Sequence, residues 1–103
     1  MDQQAAARIE DQLAILWQRN LPTLHERLAL LDRAAAADPL TPEDRHAARD
    51  IAHKLAGTLG MFGRQQATEI ARQLELLLTE PLANPSRLAP LTIELRQSLF
   101  PGA

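Results

Sequence analysis

Three of the four glycines in this 103-residue chain lie in one stretch that otherwise has the composition of a helix. The stretch covers residues 52–63 and places Gly57, Gly60 and Gly63 after a single histidine, His53. Glycine in a helix interior costs roughly 1 kcal/mol relative to alanine. Because the chain uses alanine and leucine freely elsewhere, the glycines indicate that open space is needed around His53.

The composition favours an all-α fold and a cytoplasmic location. The chain is 46% hydrophobic, yet it contains no tyrosine or valine, so β-strands have little to build with. The net charge is −2 and no basic stripe occurs, which argues against a nucleic-acid partner. The absence of cysteine excludes disulfides and fits a reducing cytoplasm. No apolar run approaches the ~20 residues that span a bilayer, so we expect no membrane partner and a cytoplasmic location.

Hydrophobic residues at helical spacing predict two helices in the first third of the chain. The first is expected over residues 3–19. Asn20 is expected to cap the second, which would run to about residue 37, with Pro22 in its first turn, where a missing N–H does no harm.

Clear start and stop signals frame the helix that carries His53. Thr41 followed by proline and two acidic residues predicts a capped start, so a third helix is expected over residues 42–62. Gly63 is expected to end it in the left-handed conformation. A fourth helix is predicted over residues 64–79.

The last part of the chain is predicted as a loop and a final helix. Pro81 and Pro85 mark the loop, and Ser86 is expected to cap a helix that reaches about residue 99. Helices joined by short loops predict an antiparallel up-down four-helix bundle with an additional N-terminal helix. One domain is expected over residues 1–100, with residues 101–103 as a tail or the start of a linker.

A helical wheel places His53 opposite the predicted core face. With about 100° per residue, the far side carries Ile51, Leu55, Thr58, Leu59 and Phe62. The histidine's own face carries Gly57, Gly60 and Arg64, flanked by Arg49 and Ala56 on one side and by Lys54 further round on the other. We therefore expect His53 to face solvent, with the glycines allowing another macromolecule to approach it closely.

A second residue is expected beside the histidine. If Gly63 marks the turn of a helical hairpin, His53 and Glu75 lie equally far from that turn and therefore at the same level. A carboxylate that accepts from Nδ1–H would hold the ring in one tautomer and leave Nε2 as the nucleophile. The alternative is a solvated surface glutamate paired with Arg72, and the spacing leaves both open.

Residues 53–58, HKLAGT, together with Gly60 and Gly63, resemble the signature of histidine phosphotransfer (HPt) domains of bacterial two-component phosphorelays. The resemblance extends into the fourth predicted helix. It implies a four-helix bundle in which His53 is phosphorylated, taking a phosphoryl group from an aspartyl phosphate of a receiver domain and passing it on. It implies response-regulator receiver domains and an upstream histidine kinase as partners, and no cofactor of its own, because Mg²⁺ is supplied by the receiver.

The resemblance also implies roles for the residues around His53. Glu75 matches the position at which family members carry a Gln or Glu that is hydrogen-bonded to the histidine and orients the imidazole. The candidate docking residues are Ala56, Gly57, Gly60 and Arg64. We expect a monomer that acts as a phosphotransfer intermediate.

One position departs from the family pattern. The lysine that usually follows the histidine by three residues, and that is thought to neutralise the phosphate, is Ala56 here. Arg49 is a candidate substitute, as are Lys54 and Arg64.

Two other functions are compatible with the sequence. His46, Asp50 and His53 have a spacing along one helix face that could ligate a metal ion, although no fourth ligand is near. An HPt-like docking or dimerisation module without phosphate is the other alternative, supported by Ala56. The chain contains no glycine-rich nucleotide loop, so no autokinase activity is expected.

Overall fold

The computed structural model describes residues 3–79 and 85–102. It contains four α-helices, α1 (Gln3–Ala36), α2 (Pro42–Met61), α3 (Gln65–Thr79) and α4 (Leu88–Leu99), with a short 3-10 helix, Pro85–Arg87, before α4. No residue in the described ranges is in a strand, so the all-α prediction is confirmed. None of the helices in this part of the chain is long and apolar enough to cross a membrane.

The region predicted as two helices forms one, because α1 continues through Asn20 and Pro22. The expected separate N-terminal helix is therefore wrong. A proline inside a helix removes a backbone hydrogen bond and costs about 3 kcal/mol. Contacts on both sides offset this cost, since Trp17 packs edge-on against Phe62 with ring centroids 5.2 Å apart. Beyond the proline, α1 buries Leu24, Leu28 and Leu31.

The start of α2 follows the predicted capping pattern. The Thr41 hydroxyl accepts a hydrogen bond from the Asp44 backbone N–H at 3.1 Å. Pro42 is the first helical residue, where its missing N–H has no helical partner to lose. The prediction for this helix start is confirmed.

The end of α2 is a tight turn made by Gly63. Its φ of 70° lies in the left-handed region, which glycine enters at little cost. The Gly63 N–H donates to the Gly60 carbonyl at 3.1 Å, and the Arg64 N–H donates to the Leu59 carbonyl at 3.0 Å. These two bonds satisfy carbonyls that the helix end would otherwise leave unpaired, and the predicted stop at Gly63 is confirmed.

After this turn α3 returns alongside α2 in the opposite direction. Arg45, near the start of α2, donates to the Leu78 carbonyl at 2.6 Å, near the end of α3. At the other end of the pair, the backbone of Gly60 approaches Thr68. The two helices form an antiparallel hairpin.

Helix α1 contacts both α2 and α4, and α3 contacts both α2 and α4, so the helices close into a ring. On the α1–α4 side, the Arg96 guanidinium donates to the Asp32 carboxylate. His25 stacks on Phe100 with ring centroids 4.9 Å apart. Because the earlier residue of α1 contacts the later residue beyond α4, these two elements are antiparallel as well.

The core inside this ring is built mainly from leucine. The largest fully buried side chains are Leu24, Leu28, Leu31, Leu55, Leu59, Leu74, Leu78 and Leu95. Each buried leucine contributes about 1.5–3 kcal/mol relative to an exposed one. All four helices supply at least one of them, so the core fixes the rotation of α2 about its own axis.

The first half of α1 and the start of α4 differ from the arrangement expected for a compact bundle. No residue of α1 within 3–16 is buried, and its exposed apolar side chains are Ile9, Leu13, Ile15 and Leu16. At the other end of the chain, α4 begins with Arg87 at its N-cap position, not with the predicted Ser86. Residues 80–84, where Pro81 of the predicted loop lies, are outside the described residues.

Candidate functional site

His53 lies on the outer face of α2. Its side chain is 74% exposed, whereas Leu55 and Leu59 on the far side of the helix are fully buried. The buried residues recur at the spacing that packs one face of a helix against a core. The same packing therefore holds His53 towards solvent, as the helical wheel predicts.

Glu75 on α3 meets the histidine ring. Its Oε1 lies 2.8 Å from His53 Nδ1, and its side chain is 29% exposed. A carboxylate oxygen accepts a hydrogen bond, so Nδ1 carries the hydrogen in this contact and Nε2 of the neutral ring keeps its lone pair. This is the contact that the hairpin spacing predicts. Within the described residues, no hydrogen bond or ion pair joins Glu75 to Arg72, the alternative partner.

The two glycines beside His53 are not required by packing among residues 3–79 and 85–102. A Cβ added at Gly57 would meet nothing within 4 Å. At Gly60 it would meet only Thr68, whose Cγ2 would lie at an ordinary contact distance of 3.8 Å. Both positions could therefore hold a Cβ without a clash among the described residues, so packing there does not explain the cost of two glycines in the helix.

Ala56 is not on the exposed surface that the wheel predicts for it. It is 7% exposed and belongs to the core cluster. The reason is that α3 packs on this flank of α2, whereas the opposite flank, which carries Lys54, remains exposed. The expectation that Ala56 is open to a partner is therefore wrong.

Arg49 is engaged by neighbours on its own helix. Its Nη2 donates towards His46 Nε2 at 3.3 Å and lies 3.5 Å from Asp50 Oδ1. His46 and Asp50 therefore contact the Arg49 guanidinium, whereas the alternative hypothesis makes them ligands of a metal ion. In residues 3–79 and 85–102, no group of three or more His, Cys, Asp or Glu side chains is arranged to hold a metal.

The other two candidate cations differ in their contacts. Arg64 packs over Trp17, with Cζ 4.4 Å from the ring centroid, so its guanidinium makes a cation–π contact with α1. Lys54 is exposed on the flank away from α3.

A groove next to the site was not predicted from the sequence. It has a volume of about 380 Å³ and is lined by Gly60, Gly63, Gln65, Thr68, Glu69 and Arg72. It runs between the end of α2 and the start of α3, on the glycine side of the histidine. The hairpin spacing that identified Glu75 also pairs Gly60 with Thr68, so it could have identified this groove.

The site is an exposed histidine on a helical hairpin, oriented by a carboxylate and bordered by glycines. The family model described as Hpt domain matches residues 15–99. The chain belongs to the Hpt domain family. Hpt domains carry out histidine phosphotransfer in two-component phosphorelays, and they interact with receiver domains and kinases.

One relative of this Hpt domain is protein RcaC from Microchaete diplosiphon. The two are 42% identical over 65 residues, which is 60% of this chain and 10% of RcaC. The chain therefore spans a small part of that relative's length. No solved structure matches the chain.

Proposed function

We propose that His53 accepts a phosphoryl group from an aspartyl phosphate of a receiver domain and passes it to the aspartate of another receiver domain. The observation that carries the proposal is the contact of Nδ1 with Glu75 at 2.8 Å on a side chain that is 74% exposed. This arrangement leaves Nε2 as the ring atom with a free lone pair, directed away from the carboxylate.

The transfer makes one bond and breaks one. The Nε2 lone pair of His53 attacks phosphorus in line with the bond to the aspartate oxygen, and that bond breaks as the carboxylate leaves. An N–P bond replaces an O–P bond, and Nδ1–H stays donated to Glu75 throughout. Such transfers depend on positioning and on neutralising the charge of the phosphoryl oxygens more than on covalent machinery.

The chain is proposed to work without a cofactor of its own. Mg²⁺ on the receiver supplies positive charge to the phosphoryl oxygens while the two proteins are in contact. Autophosphorylation from ATP is not expected, because the sequence has no glycine-rich nucleotide loop.

The surface around Gly57 and Gly60 is the proposed docking face for the receiver. Both glycines are exposed, and Met61, on the next turn, is 69% exposed and apolar. A surface of this kind, with an apolar patch and a polar rim, suits a transient complex. The closed four-helix bundle is proposed to act as a cytoplasmic monomer, with no nucleic-acid or membrane partner, downstream of a histidine kinase.

The test is label transfer from a phosphorylated receiver domain, followed by mapping of the modified residue. The wild-type chain should gain acid-labile phosphate on His53, and His53→Gln should gain none. His46→Gln is the matched control, since His46 is an exposed histidine on the same helix, and it should be labelled as wild type. Labelling of His53→Gln would overturn the assignment. A wild-type chain that binds receivers but never takes label would favour the docking-module alternative.

A further inference from the structure

The antiparallel pairing of α2 and α3 places residues of the two helices at matching levels. His53 lies opposite Glu75, with Nδ1 and Oε1 2.8 Å apart. A second pair lies two turns further along α2, where Gly60 approaches Thr68 of α3. In both pairs, each step forward on α2 corresponds to one step back on α3, so we call each pair a rung of the hairpin.

Between these two pairs, the residue count places Ala56 of α2 at the same level as Arg72 of α3. Counting three residues forward from His53 and three back from Glu75 reaches Ala56 and Arg72. On α3, Arg72 and Glu75 are neighbours on the surface, because residues three apart have Cβ atoms about 5–6 Å apart. Arg72 therefore stands across the hairpin from the position at which the family pattern has its lysine.

Space and exposure at this rung suit a long cationic side chain from α3. Arg72 is exposed and lines the 380 Å³ groove together with Gly60. Ala56 ends at its Cβ, so no long side chain from this position of α2 competes for the space. At the next residue, Gly57, an added Cβ would meet no described atom within 4 Å.

Arg72 also has no partner among the described residues, unlike two of the three cations that the sequence suggested. Arg49 contacts His46 and Asp50, and Arg64 packs on Trp17. Within residues 3–79 and 85–102, Arg72 makes no hydrogen bond, ion pair or ring contact. The one acidic side chain that lines the groove with it is Glu69, so the groove has no excess of negative charge.

We infer that Arg72 is the residue that binds the phosphoryl oxygens on His53 Nε2, supplying from α3 the positive charge that Ala56 does not supply from α2. The inference rests on the proposed phosphorylation of His53. A guanidinium group can donate two parallel hydrogen bonds to a phosphoryl group, which gives orientation as well as charge.

The experiment uses potassium phosphoramidate as the phosphate donor, so that it does not depend on any receiver. The ³¹P resonance of phospho-His53 is identified as the one that is lost in His53→Gln. Arg72→Gln should slow the labelling of His53 about tenfold, the loss expected for one charge-assisted hydrogen bond. Arg72→Lys should recover part of the rate, because it keeps the charge and loses the planar fork.

A second readout separates phosphate binding from a merely structural role. A guanidinium beside the phosphoryl group favours its dianion, so the pKa of that group, from a ³¹P titration, should be higher in Arg72→Gln than in wild type. Arg33→Gln is the matched control, since it removes one exposed cation from α1, outside the α2–α3 hairpin. It should leave both the rate and the phosphoryl pKa unchanged.

The outcomes distinguish this inference from the function on which it rests. If phosphoramidate labels His53 equally fast in wild type and Arg72→Gln, with the same phosphoryl pKa, the role of Arg72 is wrong, and normal receiver transfer to His53 would not rescue it. An equal effect of Arg33→Gln would also overturn it, since the rate would then follow the net charge of the protein and not the position of Arg72. If wild type accepts phosphate from phosphoramidate with the Arg72 dependence but from no receiver, the proposed relay fails while the phosphate site stands.

Discussion

The hydrogen bond between His53 and Glu75 depends on two local features of the sequence. The glycines beside the histidine identify the solvent face of α2, and the turn at Gly63 determines which residue of α3 reaches the ring. Both follow from helix geometry, so the pair could be predicted without the fold. The flank on which α3 packs could not, because the wheel of one helix does not say where its neighbour lies. Ala56 is buried for that reason.

Two substitutions at Gly57 should separate the effect on the free energy of unfolding from the effect on phosphotransfer. Gly57→Gln is expected to raise the free energy of unfolding by about 0.5 kcal/mol, because it replaces a helix-interior glycine without a clash. It should nevertheless block phosphotransfer from a receiver, because the side chain fills the proposed docking face. Gly57→Ala is the matched control, with a similar or larger gain in stability and little loss of transfer. Urea unfolding and transfer rates measure the two effects, and normal transfer by Gly57→Gln would show that receivers dock elsewhere.

At the level of the helices, explicit caps were predictable and a proline was misleading. Thr41 and Gly63 bound α2 as expected, because cap and turn preferences arise from the residues themselves. Pro22 predicted a helix boundary by the same local reasoning, yet α1 runs through it. The packing of α1 against the rest of the molecule outweighs the lost hydrogen bond, and long-range packing of that kind is not visible in a local pattern.

The cap of α2 should contribute to stability and not to chemistry. Thr41→Ala removes the acceptor for the Asp44 N–H and is expected to lower the free energy of unfolding by about 1 kcal/mol. Thr41→Ser keeps the hydroxyl and should retain most of that stability. The rate of phosphotransfer to His53 should be the same in all three proteins at temperatures where they are folded. A loss of transfer in folded Thr41→Ala would show that the cap also positions the site.

At the scale of the whole molecule, the length of α1 sets the long dimension, and the packing of the four helices sets the two short ones. The molecule is 53 Å long and only 24 × 21 Å across, and a helix of 34 residues is about 51 Å long. The long dimension is therefore that of α1. The family match begins at residue 15, close to the point at which α1 starts to pack against Phe62 through Trp17.

Removal of residues 1–12 should change the stability of the bundle little. None of the residues within 3–16 is buried, so the expected loss is less than about 1 kcal/mol, measured by urea unfolding. Trp17→Ala, the comparison variant, should cost about 2 kcal/mol because it removes a half-buried indole that contacts both Phe62 and Arg64. If the truncation costs as much as Trp17→Ala, the N-terminal half of α1 packs on the bundle after all.

The rungs of the α2–α3 hairpin have a consequence for how such sites are recognised and how they evolve. A charge needed at one level can be supplied by either helix, so natural selection can transfer it from one to the other without disturbing the histidine. A motif that considers only α2 treats Ala56 as the loss of a phosphate-binding cation. A motif that includes both helices recognises Arg72 as the residue that replaces it. What such a chain has to preserve is then the register of α3 against α2, because a residue inserted within α3 between two rungs would rotate the part of the helix beyond it by about 100° and separate the two rungs from each other.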